Sequence, residues 1–485
     1  MKMTCEEVLP FKVGIVGGGM AGSTAALKMA GLGIETHLFE AKNSLVSGPP
    51  ICHLHAGGNL YREISESQCV ALLEQSIATI RAFPGSVNHR PTVIATPSTD
   101  PDESEAVLHR LKALMQHYRD MVMRDPENEV LGKPDDYFTL YNKEDILQLA
   151  SRPLPQQPAT ADDWMIPVAR FMTHEAIKSP LFLVQEFGLS VFRLAATTVL
   201  GLEASSKAHL HLNHQVVNLE ESSHGWIIET HDNHRQCHQY QVDFLINASG
   251  FQTGMLDDMA NRTRKRWVEY KAAYLAHWPS QQGVWPEVIV HGERGMPNGM
   301  AQFTPYSQGF VQLHGMTKDI TLFEGGLVAS DAHSAQPFLP DALLYKIKHG
   351  WQWADICSRT ERAITHFGQW VPTFTTAEVG GYPLCGAQQI PGDDPTLRAA
   401  DASFDGPRYA RMEIVKASSA LQAVEQVLEH CAKHGWITLP EGWQQPSLPL
   451  TNTLDNARII EKAKAIAKHR GYPEALALPF PALSN

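Results

Sequence analysis

Residues 11–16 form a short apolar run rich in β-branched side chains, glycines follow at once, and 21–30 is dense in alanine. That order predicts strand, tight turn and helix. The apolar run 34–39 closes on Glu40 and predicts a second, parallel strand, hence a βαβ unit. Apolar residues at helical spacing mark 66–83 and 102–124, with a strand expected over 90–96 between them. A helix expected at 189–204 leads into strands at 215–219, 226–230 and 242–247. Strands then dominate: 268–276, 288–291, 300–304, 309–314 and 320–323, which predicts a second, mainly antiparallel sheet. Helices follow near 341–367, then a Gly- and Pro-rich loop at 380–394 and a short strand at 397–400. The last expectations are a helix over 411–433, with Met412, Val415, Leu421, Val424 and Val427 on its core face, and one near 454–469.

Composition narrows the function classes. At ~100–200 residues per domain, 485 residues suggest two to four domains. Forty Lys plus Arg against fifty-two Asp plus Glu leave a net charge of -12, so no basic field collects nucleic acid or anionic lipid. No nucleic-acid partner is expected, and no run approaches the ~20 apolar residues of a transmembrane segment. The first ten residues carry Glu6 and Glu7 and do not read as a signal peptide. Seven scattered cysteines with no CxxC pair argue against a disulfide framework and fit a reducing cytoplasm. The groups His209, His211, His214 and His231, His234, His238 lie in polar strand-and-turn sequence without neighbouring thiolates or carboxylates, so no metal site is expected.

The strongest chemical signal is Gly17-Gly18-Gly19-Met20-Ala21-Gly22, a GxGxxG between a predicted strand and helix. Gly17 permits the tight turn, Gly19 lets the backbone approach a pyrophosphate, and Gly22 lets the helix pack on the sheet. The phosphates then sit at a helix N-terminus, where N–H groups and the macrodipole favour anions. Glu40, about 20 residues on, is placed to accept from ribose hydroxyls and disfavours a 2′-phosphate. Ala41 and Lys42 beside it, and Val216 on the 215–219 strand, join the expected cofactor contacts. The strand 242–247 runs into Ala248, Ser249 and Gly250, small residues where a backbone can approach a ligand.

These residues carry a resemblance. The stretch from Gly17 to Glu40 resembles the N-terminal fingerprint of FAD-dependent oxidoreductases of the glutathione-reductase-like clan, and the order of the remaining segments resembles the D-amino-acid oxidase branch. Asn247-Ala248-Ser249-Gly250 is similar to its "NAxG", Pro383-Leu384-Cys385-Gly386 to its "PxxG", and Leu397-Arg398-Ala399-Ala400 to its last strand. The resemblance implies an α/β fold: a Rossmann-like three-layer FAD-binding domain from discontinuous segments (1–60, 181–261 and 381–435). To it would be added a helical insertion (61–180), a substrate domain with a mixed or antiparallel sheet (262–380) and a tail (436–485). It also implies FAD as cofactor, hydride removal from a C–N or C–O bond of a small molecule, and oxygen or a quinone as electron acceptor.

The resemblance implies further site residues. His55-Ala56-Gly57-Gly58 is similar to the "HAAG" of dimethylglycine and sarcosine dehydrogenases, in which the His is bonded to the flavin. His53, His55, Ala56 and Gly57 are thus expected at the flavin, covalently attached through His55 or merely lining it. In the phrase Arg408 to Lys416, Arg411 is expected at a helix N-terminus facing the flavin, with Met412 and Glu413. Gln302, Tyr306 and His314 on the 300–314 strands are expected to orient substrate. Asp401-Ala402 stands where the branch usually shows Gly-His and resembles the "GD" of flavin hydroxylases, which puts Asp401 among the cofactor contacts and leaves a flavin monooxygenase as an alternative. A maturation factor acting on a partner protein through 60–180 or the tail is another.

Overall fold

The computed structural model of the chain describes residues 11–47, 53–54 and 62–481. Two large sheets organise it. The first has six strands in the order Ala402–Phe404, Tyr409–Met412, Phe244–Asn247, Lys12–Val16, Glu35–Glu40, Ala208–Leu212. All its pairings are parallel except that of the edge strand Ala402–Phe404. Central parallel strands are covered on both faces and so read as continuous apolar runs; Phe244–Asn247 and Tyr409–Met412 are buried at every position. One face carries the helices Met20–Gly31, Val191–Glu203 and Ala420–Lys433, packed through Ala25, Leu27, Leu194 and Val424. The other face carries an antiparallel sheet of Gln215–Ser222, Gly225–His231 and Cys237–Val242, whose Trp226 and Ile228 pack on Leu245 and Val16. The result is the three-layer α/β arrangement expected.

The second sheet has ten strands and one parallel pairing on the path that builds it, Glu287–Val290 with Thr92–Pro97. Arg266–His277 is its longest strand. Two of its strands, Thr92–Pro97 and Phe138–Tyr141, come from the stretch expected as a helical insertion, beside the helices Glu66–Ala82 and Ala106–Arg124, and a third, Ile177–Val184, straddles that stretch's expected end at 180. The tail joins the core. The helix Asn456–His469 buries Ile459, Ala463 and Ala467 against Val191–Glu203, and Lys28 Nζ donates to the Gln445 and Ser447 carbonyls at 2.9 and 3.3 Å.

Four expected elements differ. The 380–394 loop contains the eight-residue strand Leu384–Pro391, which pairs with Arg266–His277 from Arg266↔Pro391 to Ala273↔Leu384. Residues 320–323 turn instead of extending, and 397–400 is irregular. The segment expected as one helix over 411–433 divides into the strand Tyr409–Met412 and the helix Ala420–Lys433. Among the described residues no helix is long and apolar enough to cross a membrane, and Cys69, Cys237, Cys357, Cys385 and Cys431 are free.

Candidate active site

A cleft of about 430 Å³ runs between the two sheets, from the glycine turn at one end to the inner face of the ten-stranded sheet at the other. At the first end Gly17 has φ +106°, a conformation L side chains avoid, and a Cβ there would lie 2.3 Å from the Ala248 carbonyl. A Cβ on Gly22 would lie 1.9 Å from the Gly17 carbonyl, so helix and turn touch backbone to backbone. Gly19 starts the helix Met20–Gly31 without a side-chain cap, and a Cβ on it would meet no atom within 4 Å. The helix N-terminus therefore presents bare backbone to the cleft at Gly19, Met20 and Ala21. The Glu40 carboxylate is held by the Gly18 N–H at 2.7 Å and the Lys42 N–H at 2.8 Å and still faces the cleft.

Of the residues expected to hold a cofactor, Gly17, Gly19, Met20, Ala21, Glu40, Ala41, Lys42, Val216, Ala248, Ser249, Gly250 and Met412 line this cleft. Gly18 and Gly22 shape it from behind. At the far end, Gln302 and His314 face each other across paired strands and both reach the cleft. Gln302 Nε2 donates to Glu287 Oε1 at 2.6 Å, and His314 Nε2 lies 3.2 Å from Gln312 Nε2.

Other expected residues sit elsewhere. Arg411 is not at a helix N-terminus. It lies in the strand Tyr409–Met412, where alternation turns Met412 to the cleft and Arg411 away, onto Asp257 at 2.7 Å and Asp405 at 2.9 Å. Glu413 follows Arg411, accepting from Arg266 Nε at 2.9 Å and pairing with Arg264 at 2.7 Å. The cation lining the cleft near the start of the helix Ala420–Lys433 is Lys416. Asp401 is exposed, accepts from Gln426 Nε2 at 3.1 Å and lies outside the cleft lining, because the residues around it form an edge of the sheet. Tyr306 also lies outside the lining: its hydroxyl donates to Gln312 Oε1 at 3.2 Å, and its ring sits under the Arg90 guanidinium. Gln312 links it to His314. The His53 backbone pairs with Gly188; His55, Ala56 and Gly57 lie outside the described residues.

Sequence reasoning missed the charged floor of the far end. Glu269 and Lys271 alternate on Arg266–His277 and both line the cleft, as does Arg398 from the irregular 397–400 segment. Lys271 Nζ lies 2.6 Å from Glu269, and Arg294 pairs with the same carboxylate from behind. Arg398 is 7% exposed, and among the described residues its guanidinium hydrogen bonds go to the Pro395 and Leu397 carbonyls at 2.9 and 2.7 Å. Burial, then repulsion from Arg398, pushes Lys271 down to about 7 against the pull of Glu63. Its contact with Glu269 opposes that fall, so the downward direction rests on burial and on several cations sharing few carboxylates. Burial likewise lowers Arg398 and brings Arg294 to about 10. The available signal was a Glu and a Lys two apart inside an apolar strand, on a face that otherwise reads as core.

The family model of glucose inhibited division protein A matches residues 12–80. No curated protein matches the chain. Among solved structures, the glycerol-3-phosphate dehydrogenase from Bacillus halodurans complexed with FAD is similar at a TM-score of 0.56 and 13% identity, over 96% of this chain and 74% of that one. L-amino acid deaminase from Proteus vulgaris gives 0.57 and 10% identity, over 90% and 96%. Glycine oxidase from Geobacillus kaustophilus gives 0.53 and 14%, over 90% and 98%. The likeness extends over both sheets and establishes a shared fold.

Proposed function

We propose that this chain is an FAD-dependent oxidoreductase that oxidises a C–N or C–O bond of a small anionic molecule. The carrying observation is that one cleft joins a glycine-turn nucleotide cradle to an enclosed polar floor of Lys271, Gln302, His314 and Arg398. The residues present fit FAD: the uncapped helix start at Gly19, the φ +106° turn at Gly17 and the inward carboxylate of Glu40 are what a pyrophosphate and a ribose require. Bound FAD would supply the two-electron acceptor for the substrate's hydride.

The chain's own residues would do the rest. Backbone at Gly17 to Ala21 holds the pyrophosphate, and Glu40 accepts from ribose hydroxyls. Arg398 binds the substrate anion, since its present partners are neutral carbonyls. Lys271, largely neutral above about pH 7, takes the proton from the substrate amine or hydroxyl while Gln302 and His314 hold its neutral polar atoms. Oxygen or a quinone receives the electrons, and the scattered free cysteines suit a cytoplasmic site. The motif that suggested a monooxygenase, Asp401-Ala402, lies outside the cleft lining and lends that alternative no support.

The visible spectrum of the purified protein, before and after acid precipitation, tests the cofactor. Yellow protein releasing FAD into the supernatant supports the reading with noncovalent FAD; colour retained in the pellet supports it with His55 as the attachment point. Colourless protein that also fails to bind added FAD overturns it.

A further inference from the structure

The strand Glu35–Glu40 pairs in parallel with the edge strand Ala208–Leu212, with His37 opposite His209 and Phe39 opposite His211. The two-residue period puts Glu35, His37, His209 and His211 on one face, away from the cleft lining. There Glu35 Oε1 lies 3.7 Å from His37 Nε2 and 3.9 Å from His209 Nε2. The two rings stack with centroids 4.6 Å apart, and one ligand atom from each of the three residues falls within 4.8 Å of the others. His37 Nε2 is buried without a hydrogen-bond partner, while its Nδ1 lies 3.1 Å from His211 Nε2.

We propose that Glu35, His37 and His209 form a binding site for a divalent transition-metal ion, with Zn²⁺ as the fitting occupant. Two imidazoles and one carboxylate are a nitrogen-and-oxygen donor set that suits Zn²⁺ and its neighbours over Mg²⁺ or Ca²⁺. Ligand separations of 3.7 and 3.9 Å must shorten to the edge of about 3.3 Å that bonds of about 2.0–2.1 Å require, and the stacked His37 and His209 rings must turn their planes toward a common point to receive the ion. His211 fixes the His37 ring from behind, as an outer-shell partner does, and the bare Nε2 gains a partner it otherwise lacks. Lys12 Nζ, 3.7 Å from Glu35 and 38% exposed, has room to swing aside. A bound ion would clip the edge strand to the strand that ends in Glu40. The site stands independently of the flavin reading.

The test uses the full chain, stripped with a chelator and titrated with Zn²⁺ alone by calorimetry, with thermal melts in parallel. Glu229, His231 and Cys237 form another three-ligand group on the surface, so Cys237→Ser serves as the control. The expected result is one equivalent bound and a raised melting midpoint. His209→Asn and Glu35→Gln should each lose both effects while melting normally without metal, Cys237→Ser should keep them, and His211→Leu should weaken binding about tenfold to hundredfold. Absence of stoichiometric binding by the unaltered chain, or its retention in both His209→Asn and Glu35→Gln, overturns the proposal. A His209→Asn chain that does not fold leaves Glu35→Gln, at a side chain 20% exposed, to decide.

Discussion

At the scale of single residues, the far end of the cleft is governed by few charges. Arg398 forms no salt bridge with a described carboxylate and feels Glu63 and Asp394 only from farther off, so in the proposed function an anionic substrate would be its direct partner. Replacing it by Gln should cost about 2 kcal/mol of that contact, roughly thirtyfold in kcat/KM, carried mainly by KM and with FAD content unchanged. Steady-state kinetics on carboxylate and phosphate substrates checks this. Lys271 acts in the opposite sense, as an acceptor. Protonated below about 7, it cannot take the substrate proton, so kcat/KM should rise with pH through that value and level off above it. In Lys271→Met the rate should be low and that rising limb absent. The glycine turn was readable residue by residue because only glycine satisfies it: Gly22→Ala puts a Cβ 1.9 Å from the Gly17 carbonyl and should abolish FAD retention, read by the absorbance of the purified variant. Lys271 and Arg398 were not readable, because their chemistry depends on what they face across the cleft.

At the scale of elements, a buried ionic lattice holds the two sheets in register. Asp257, on the helix Thr253–Met259, accepts from Arg266 at the start of the longest strand of the second sheet and from Arg411 and Tyr409 in the first. Glu413 takes the other side of Arg266. Removing the shared carboxylate leaves Arg266 with Glu413 alone and Arg411 with the partly exposed Asp405 alone, so Asp257→Ala should destabilise the chain by about 3 kcal/mol, measured as a lowered urea midpoint. This network also explains why Arg411 misled the sequence reading. The resemblance put Arg411 at a helix N-terminus facing the flavin, whereas it lies in a strand and its partners are Asp257 on the helix Thr253–Met259 and Asp405, which no sequence pattern ties to it. The same limit applies to Leu384–Pro391: Gly386 and Pro391 look like loop residues, and only the full-length ladder with Arg266–His277 makes them a strand. Helices at 66–82, 106–124 and 456–469 were legible because 3.6-residue periodicity is local.

At the scale of the molecule, the six-stranded half was legible because its strands end in glycine and small-residue motifs, while the ten-stranded half was visible only as an abundance of strands. The cleft belongs to neither half: Gly17 and Glu40 come from one sheet, Lys271 and His314 from the other, and Arg398 from the connection between them. A ligand spanning that cleft bridges both sheets, and anything that binds the folded chain alone adds RT ln(1 + [L]/Kd) to its stability. FAD at a hundred times its Kd should therefore stabilise the apoprotein by about 2.7 kcal/mol, a shift of a few degrees in melting midpoint for a chain of this size. The shift should grow with the logarithm of FAD concentration and be absent in Gly22→Ala, whose cradle is blocked. It should persist in Arg398→Gln, whose lesion lies at the substrate end. Equal shifts in the unaltered chain and in Gly22→Ala would mean that FAD stabilises from outside the glycine turn, and the cleft would lose its claim to the cofactor.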